Sequence, residues 1–187
     1  NDYYVGAMTI LFSVSQMLFL PMQGLAQGAT PIISYNFGAG NPERVKKAFR
    51  LMAIASLAFS FCATGIILLF PRPFISMFSN DPEIIRIGSY GIRIYTIGFL
   101  FFGIQCACQQ TFIALGQAKI SMFLALLRKV ILLIPLALIL PTIGNLGTNG
   151  LFIAEPISDI LSIITTLTLF LINIKKILAP ISKPKSA

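Results

Sequence analysis

Long apolar runs separated by short polar punctuation dominate the chain. A bilayer core of about 30 Å takes roughly 20 helical residues, and by that measure there are five spans. The first runs from Val5 to Phe37, too long for one perpendicular crossing. We expect one tilted, kinked helix over 5–37 rather than a tight pair turning near Pro21 to Gly28, because PMQGLAQG has no charge and few strong turn dipeptides. No residue between Asp2 and Glu43 is charged, yet Pro21, Gly24, Gly28 and Pro31 interrupt the run. They read as hinge or close-packing positions, with Gly24 and Gly28 forming a GxxxG pair.

The second span covers 51–70, after a basic loop NPERVKKAFR, and stops at Pro71-Arg72-Pro73. FISMFSNDPE reads as an interfacial turn, and Asp81-Pro82-Glu83 as a helix start with Asp as N-cap, Pro at N1 and an acid in the first turn. The third helix, 84–115, carries Arg86 and Arg93 at its outer end. The fourth, 120–140, contains Arg128 and Lys129, which can snorkel toward the cytoplasmic interface; Arg128 reads as a cytoplasmic anchor or a partner for a neighbouring helix end, and only secondarily as a gate. The fifth, 150–174, leads to a basic tail at 179–187. Residues 1–178 thus form one transmembrane unit of an all-α integral membrane protein.

Composition agrees. Only 11% of residues are charged, 56% are hydrophobic and mean hydropathy is +0.86, against roughly 25% charged in soluble domains. The +8 net charge would suggest nucleic acid, but the Lys and Arg lie mostly between or beside apolar spans, so no nucleic-acid partner is expected. Five crossings put Arg44 to Arg50, Lys119 to Lys129 and Lys175 to Lys185 on one side, against Arg72, Arg86 and Arg93 on the other. The positive-inside rule then makes the C-terminus cytoplasmic and the N-terminus external, and an odd set starting outside points to further helices upstream.

Histidine is absent, which removes imidazole ligands, bases and proton relays. Cys62, Cys106 and Cys108 fall in apolar spans, where buried thiols are the usual outcome. No metal site, organic cofactor or enzymatic activity is expected. A membrane-embedded enzyme would have only the carboxylates Glu155 and Asp159 to work with.

Those two acids lie four residues apart on one face of the fifth span. One reading is a proton or cation site facing the bundle interior, with Pro156 loosening the backbone beside it; the other is a pair hydrated near the outer interface or matched with Arg86 or Arg93. Gln105 and Gln109 share a face of the third span, which also holds Tyr95 and Thr96, and Gln23 and Gln27 repeat the spacing in the first. Such amides bind a polar ligand or join helices. Phe99, Phe101 and Phe102 are candidates to line a cavity that accepts flat cations by stacking.

The stretch GATPIISYNFGAGNPERVKKAF resembles the second-lobe signature of MATE (multidrug and toxic compound extrusion) transporters. The resemblance continues through FSNDPEIIRIGSYGIRIY, FIALGQAKISMFLALLRKVILLIPLALILP and GTNGLFIAEPISDILS, and is nearest to bacterial multidrug efflux proteins of low-GC Gram-positive organisms. It implies twelve helices in two six-helix lobes, of which this chain supplies five helices of the second. It also implies antiport of lipophilic organic cations against H+ or Na+ by alternating access, in a bacterial plasma membrane, with the other lobe of the same chain as partner. Gln27, Gln105 and Gln109, with Tyr95 and Phe99, are then candidates for the substrate cavity, and Glu155 and Asp159 for ion coupling. Several sodium-coupled relatives carry an acid in the tenth helix where this chain reads Gly103-Ile104-Gln105, so that cation site is not carried over. The alternatives are a lipid-linked oligosaccharide flippase of the same superfold and a non-transporting assembly subunit.

Overall fold

The computed structural model of the chain describes residues 2–143 and 148–181. Helix α1, Asp2–Gly38, runs unbroken through Pro21 and Pro31. It ends where Gly40 adopts a φ of 74°, a left-handed turn that suits glycine, and the Asn41 N–H reaches back to the Asn36 carbonyl at 2.9 Å. Gly116, with φ 73°, closes α5 (Phe102–Ala114) in the same way through Gln117 N–H to Phe112 O at 2.8 Å. Both reversals are written locally, in GAGN and LGQ.

Helix α2 is Pro42–Leu69, so most of the expected basic loop NPERVKKAFR is its first turns. Proline sits at N1, Glu43 faces the positive helix end, and Lys46 pairs with Glu43 at 2.8 Å. The connection itself is only the Ala39–Asn41 turn. The expected interfacial turn after Phe70 is partly helical too, forming α3, Pro71–Ser76. Helix α4, Pro82–Tyr95, is capped by Asp81, whose carboxylate accepts the N–H groups of Glu83 at 2.8 Å and Ile84 at 3.4 Å.

The third and fourth spans are not single α-helices. A 3₁₀ segment, Thr96–Phe101, joins α4 to α5. The fourth begins as α6, Ala118–Leu126, widens into a π-helix over Leu127–Leu133, and ends as α7, Ile134–Ile139, with a 3₁₀ turn at Leu140–Thr142. Helix α8, Thr148–Leu178, passes through Pro156 and is followed by a 3₁₀ turn at Ala179–Ile181. The loop residues 144–147 and the tail residues 182–187 lie outside the described residues. Among the described residues, five helices are long and apolar enough to cross a membrane: Tyr3–Gly38, Pro42–Leu69, Pro82–Ala114, Ala118–Thr142 and Gly150–Leu178.

The third span is the centre of the bundle, packed against α1, α2 and α8, whereas the fourth is the most exposed. Two glycines permit that position. A Cβ at Gly103 would collide with the Ser56 carbonyl of α2, and one at Gly98 would lie 2.8 Å from Pro156 Cα and 3.0 Å from Asp159 Cβ. The close-packing role given to Gly24 and Gly28 is not found within this lobe: nothing lies within 4 Å of a Cβ at either, because they sit on the exposed side of α1 with Pro21 and Pro31.

Substituting Gly103→Ala should therefore lower the thermal midpoint, at an overpacking cost of about 1–3 kcal/mol. Gly65→Ala, where a Cβ meets nothing within 4 Å, should leave the midpoint unchanged or raise it slightly in the same detergent melt.

Candidate functional site

The two acids of α8 meet the two cations of the π-helical segment. Arg128 Nε donates to Asp159 Oδ1 at 2.6 Å, and its Nη2 lies 3.6 Å from Glu155 Oε1. Lys129 Nζ reaches the same Glu155 oxygen at 3.3 Å. The Arg128 guanidinium also lies over the Phe102 ring, 4.3 Å from its centroid. Asp159 is 4% exposed, and the Arg128 and Glu155 side chains are 18% and 12% exposed.

Pairing and burial decide between the two readings of the acids. At 1.5 Å per residue, Arg128 lies about 15 Å from Ala118, in the middle of a bilayer-length helix. Asp159 is buried and Glu155 half-buried against it, and neither is matched with Arg86 or Arg93. Arg86 instead pairs with Glu83 of its own helix at 2.6 Å. Of the readings open to Arg128, the partner of a neighbouring helix holds and the snorkelling anchor does not. A carboxylate at equal depth on a neighbouring helix offers a guanidinium a shorter route to neutrality than the interface does.

Backbone irregularity places these groups. In the wide π turn the Arg128 carbonyl accepts the Ser158 hydroxyl of α8 at 2.9 Å, which fixes the two spans in register one residue from Asp159. On the other side, Gly98 in the 3₁₀ segment lets the third span come up against Pro156 and Asp159. The same segment carries Phe99, which stacks on Phe102 with centroids 5.5 Å apart and planes 19° apart.

Two cavities flank the ion pair. The smaller, about 110 Å³, is aromatic and acidic, with Gln16, Tyr95, Phe99, Phe102, Glu155 and Asp159 in its wall. The larger, about 240 Å³, is lined by amides from Gln23, Gln105, Gln109 and Gln110. Phe19, Phe102, Arg128 and Lys129 belong to both, so the guanidinium over the Phe102 ring stands between them. Gln105 is 2% exposed and donates to Ser162 Oγ at 2.5 Å, while its Oε1 has no protein partner among the described residues. Gln109 Nε2 donates to the Ser121 carbonyl at 3.3 Å.

The structure thus gathers Tyr95, Phe99, Glu155 and Asp159 at one chamber and Gln105 and Gln109 at the other. Gln27 joins neither chamber and lies exposed on α1; it is Gln23, one turn earlier, that faces the amide chamber. Sequence reasoning gave Arg128 only a secondary role as a gate and missed Lys129 and Ser158 as site residues. The signal was a charge inventory: with so few acids in the chain, two at mid-span depth call for cations at the same depth.

An all-helical bundle with five membrane-length helices and an ion-paired cluster within its spans has the architecture of a polytopic membrane protein. The chain belongs to the MatE family, whose model matches residues 1–139. It is 31% identical to the FAD transporter of Shewanella oneidensis over 83% of this chain and 33% of that protein. It is 28% identical to the probable multidrug resistance protein NorM of Thermotoga maritima over 86% of this chain and 34% of that protein. Among solved structures, the MATE multidrug transporter DinF-BH in complex with R6G superposes with a TM-score of 0.82 and 31% identity, covering 95% of this chain and 39% of that one. A MATE structure in the bent conformation gives a TM-score of 0.89 at 17% identity over 96% of this chain and 39% of that one. The chain therefore spans about a third of the length of the curated relatives it matches.

A buried pair with one partner removed leaves an uncompensated charge. Asp159→Asn should cost about 3 kcal/mol, the low end for such changes because Glu155 remains near Arg128. The apolar double variant Arg128→Met with Asp159→Leu should recover most of that loss. A double-mutant cycle from thermal melts checks both.

Proposed function

We propose that this chain is one lobe of a secondary active multidrug exporter that antiports organic cations against H+ or Na+ by alternating access. The observation that carries the reading is the guanidinium of Arg128 held over the Phe102 ring and ion-paired to Asp159. Those are the contacts a planar drug cation seeks: an aromatic face and a carboxylate in a site of low dielectric. A proton or Na+ taken up by Asp159 and Glu155 weakens their hold on Arg128, and the freed guanidinium can turn toward the amide chamber it already borders. Ion binding and substrate binding then compete for the same carboxylates, which is the linkage antiport requires.

The companion lobe would pack on the side of α1 where Gln16 and Gln27 lie exposed, since amides facing lipid are costly. With Arg128 and Lys129 committed to ion pairs with Glu155 and Asp159, Arg44 to Arg50, Lys119, Lys175 and Lys176 still outweigh Arg72, Arg86 and Arg93, which supports a cytoplasmic C-terminus in a bacterial plasma membrane. The names of the NorM relative and of the structure holding R6G support drug export.

One observation favours a second reading. The larger chamber is basic and amide-rich, which suits a phosphate-bearing substrate, such as a lipid-linked oligosaccharide or the flavin nucleotide named for the Shewanella relative.

In cells expressing the complete transporter, Glu155→Gln and Asp159→Asn should each reduce ethidium efflux at least tenfold, and the double variant should abolish it. Unchanged efflux in the double variant removes the pair from coupling. Loss of FAD export without any ethidium efflux in the parent protein favours the second reading.

A further inference from the structure

A groove of about 490 Å³ lies between the end of α2, α3 and α4, away from both chambers and lined in part by Phe70, Arg72, Ser89, Tyr90 and Arg93. Two arginines share it, and no acid with a described side chain is left over to pair with either. Every acid whose side chain is described is engaged elsewhere: Glu43 with Lys46, Glu83 with Arg86, Asp81 at the α4 cap, and Glu155 and Asp159 with Arg128 and Lys129. Neither Arg72 nor Arg93 makes an ion pair among the described residues.

Their depth is set by the apolar runs on either side. The uncharged stretch of α2 from Leu51 is about 20 residues long when it reaches Phe70, the thickness of a hydrocarbon core, so Arg72 stands just past its edge. Counting back from Ala114, where the third span ends, a similar length reaches Arg93. Both guanidinium groups therefore sit at the level of lipid phosphates, on the membrane face opposite Arg44 to Arg50. Leu69, Phe70 and Tyr90 are exposed beside them, 73%, 60% and 57%, an apolar and aromatic rim at the height where such rings anchor. Ser89 Oγ, which borders the groove, is buried and has no hydrogen-bond partner among the described residues. It is a free donor beside two unpaired cations.

We propose that this groove is a binding site for the phosphodiester headgroup of an anionic phospholipid. Arg72 and Arg93 bracket the phosphate, the Ser89 hydroxyl donates to one of its oxygens, and the acyl chains run down past Leu69 and Phe70. Guanidinium groups suit this work because their fork of donors matches phosphate oxygens and they are only weakly hydrated. The assignment does not depend on what the transporter exports, since no groove residue belongs to either chamber.

The test is native mass spectrometry of the delipidated complete transporter titrated with phosphatidylglycerol or phosphatidylcholine of matched chains. Phosphatidylglycerol should be retained preferentially, and Arg72→Gln with Arg93→Gln should weaken its retention roughly 30-fold while leaving phosphatidylcholine unaffected. The double lysine variant should restore part of the preference, and a thermal melt identifies any variant that fails to fold. Equal retention of the two lipids by the parent protein, or an unchanged preference in the folded glutamine variant, overturns the proposal. So does full competition by inorganic phosphate or glycerophosphoglycerol at equal concentration, which would make the groove a site for free anions instead.

Discussion

Charge neutrality inside a low-dielectric bundle is the constraint on which the rest of this structure depends. Arg128, Asp159, Glu155 and Lys129 can occupy mid-membrane only as a group, since the desolvation of each is tolerable only beside an opposite charge with good geometry. Meeting that geometry distorts the helices that carry them. The fourth span widens into a π-helix where Arg128 and Lys129 emerge, and the third tightens into a 3₁₀ segment where Gly98 admits Asp159. Regular α-helices would have been cheaper in backbone terms. They would not bring a guanidinium, two carboxylates and the Phe99–Phe102 stack to one point.

That distortion also marks where sequence was readable and where it was not. The five spans follow from lengths of uncharged chain, and Asp81-Pro82-Glu83, GAGN and LGQ each announce a cap or reversal through chemistry confined to a few residues. The start of α2 was missed because four basic residues in ten look like a loop, although Pro42 at N1 and the Glu43–Lys46 pair make the same residues a good first turn. The 3₁₀ and π segments were illegible. Nothing local in TIGFLF or LRKVILL demands a change of pitch, which is imposed by partners on α8.

The candidate site shows the same division. Glu155 and Asp159 stand out because acids are rare in spans, but their partners are 26 to 31 residues away in the chain, and only depth identifies them. Gln105 and Gln109 were visible through their spacing. Gln23, and not Gln27, turns toward the amide chamber, since a repeat of four does not say which face turns inward. The glycines illustrate the limit most plainly: the GxxxG pair of α1 touches nothing in this lobe, while Gly98 and Gly103, in no recognisable motif, seat the central span.

The 3₁₀ segment has a consequence of its own. A 3₁₀ turn advances the chain by about 120° per residue instead of 100°, so the six residues Thr96–Phe101 leave α5 turned by about 120° relative to where α4 would have carried it. The lipid-facing side of α4 and the amide side of α5 are thereby set out of phase along one continuous span. Unwinding even part of that segment toward α-helical pitch would act as a torsion joint, rotating α5, with Gln105 and Gln109, about the axis of the third span relative to α4.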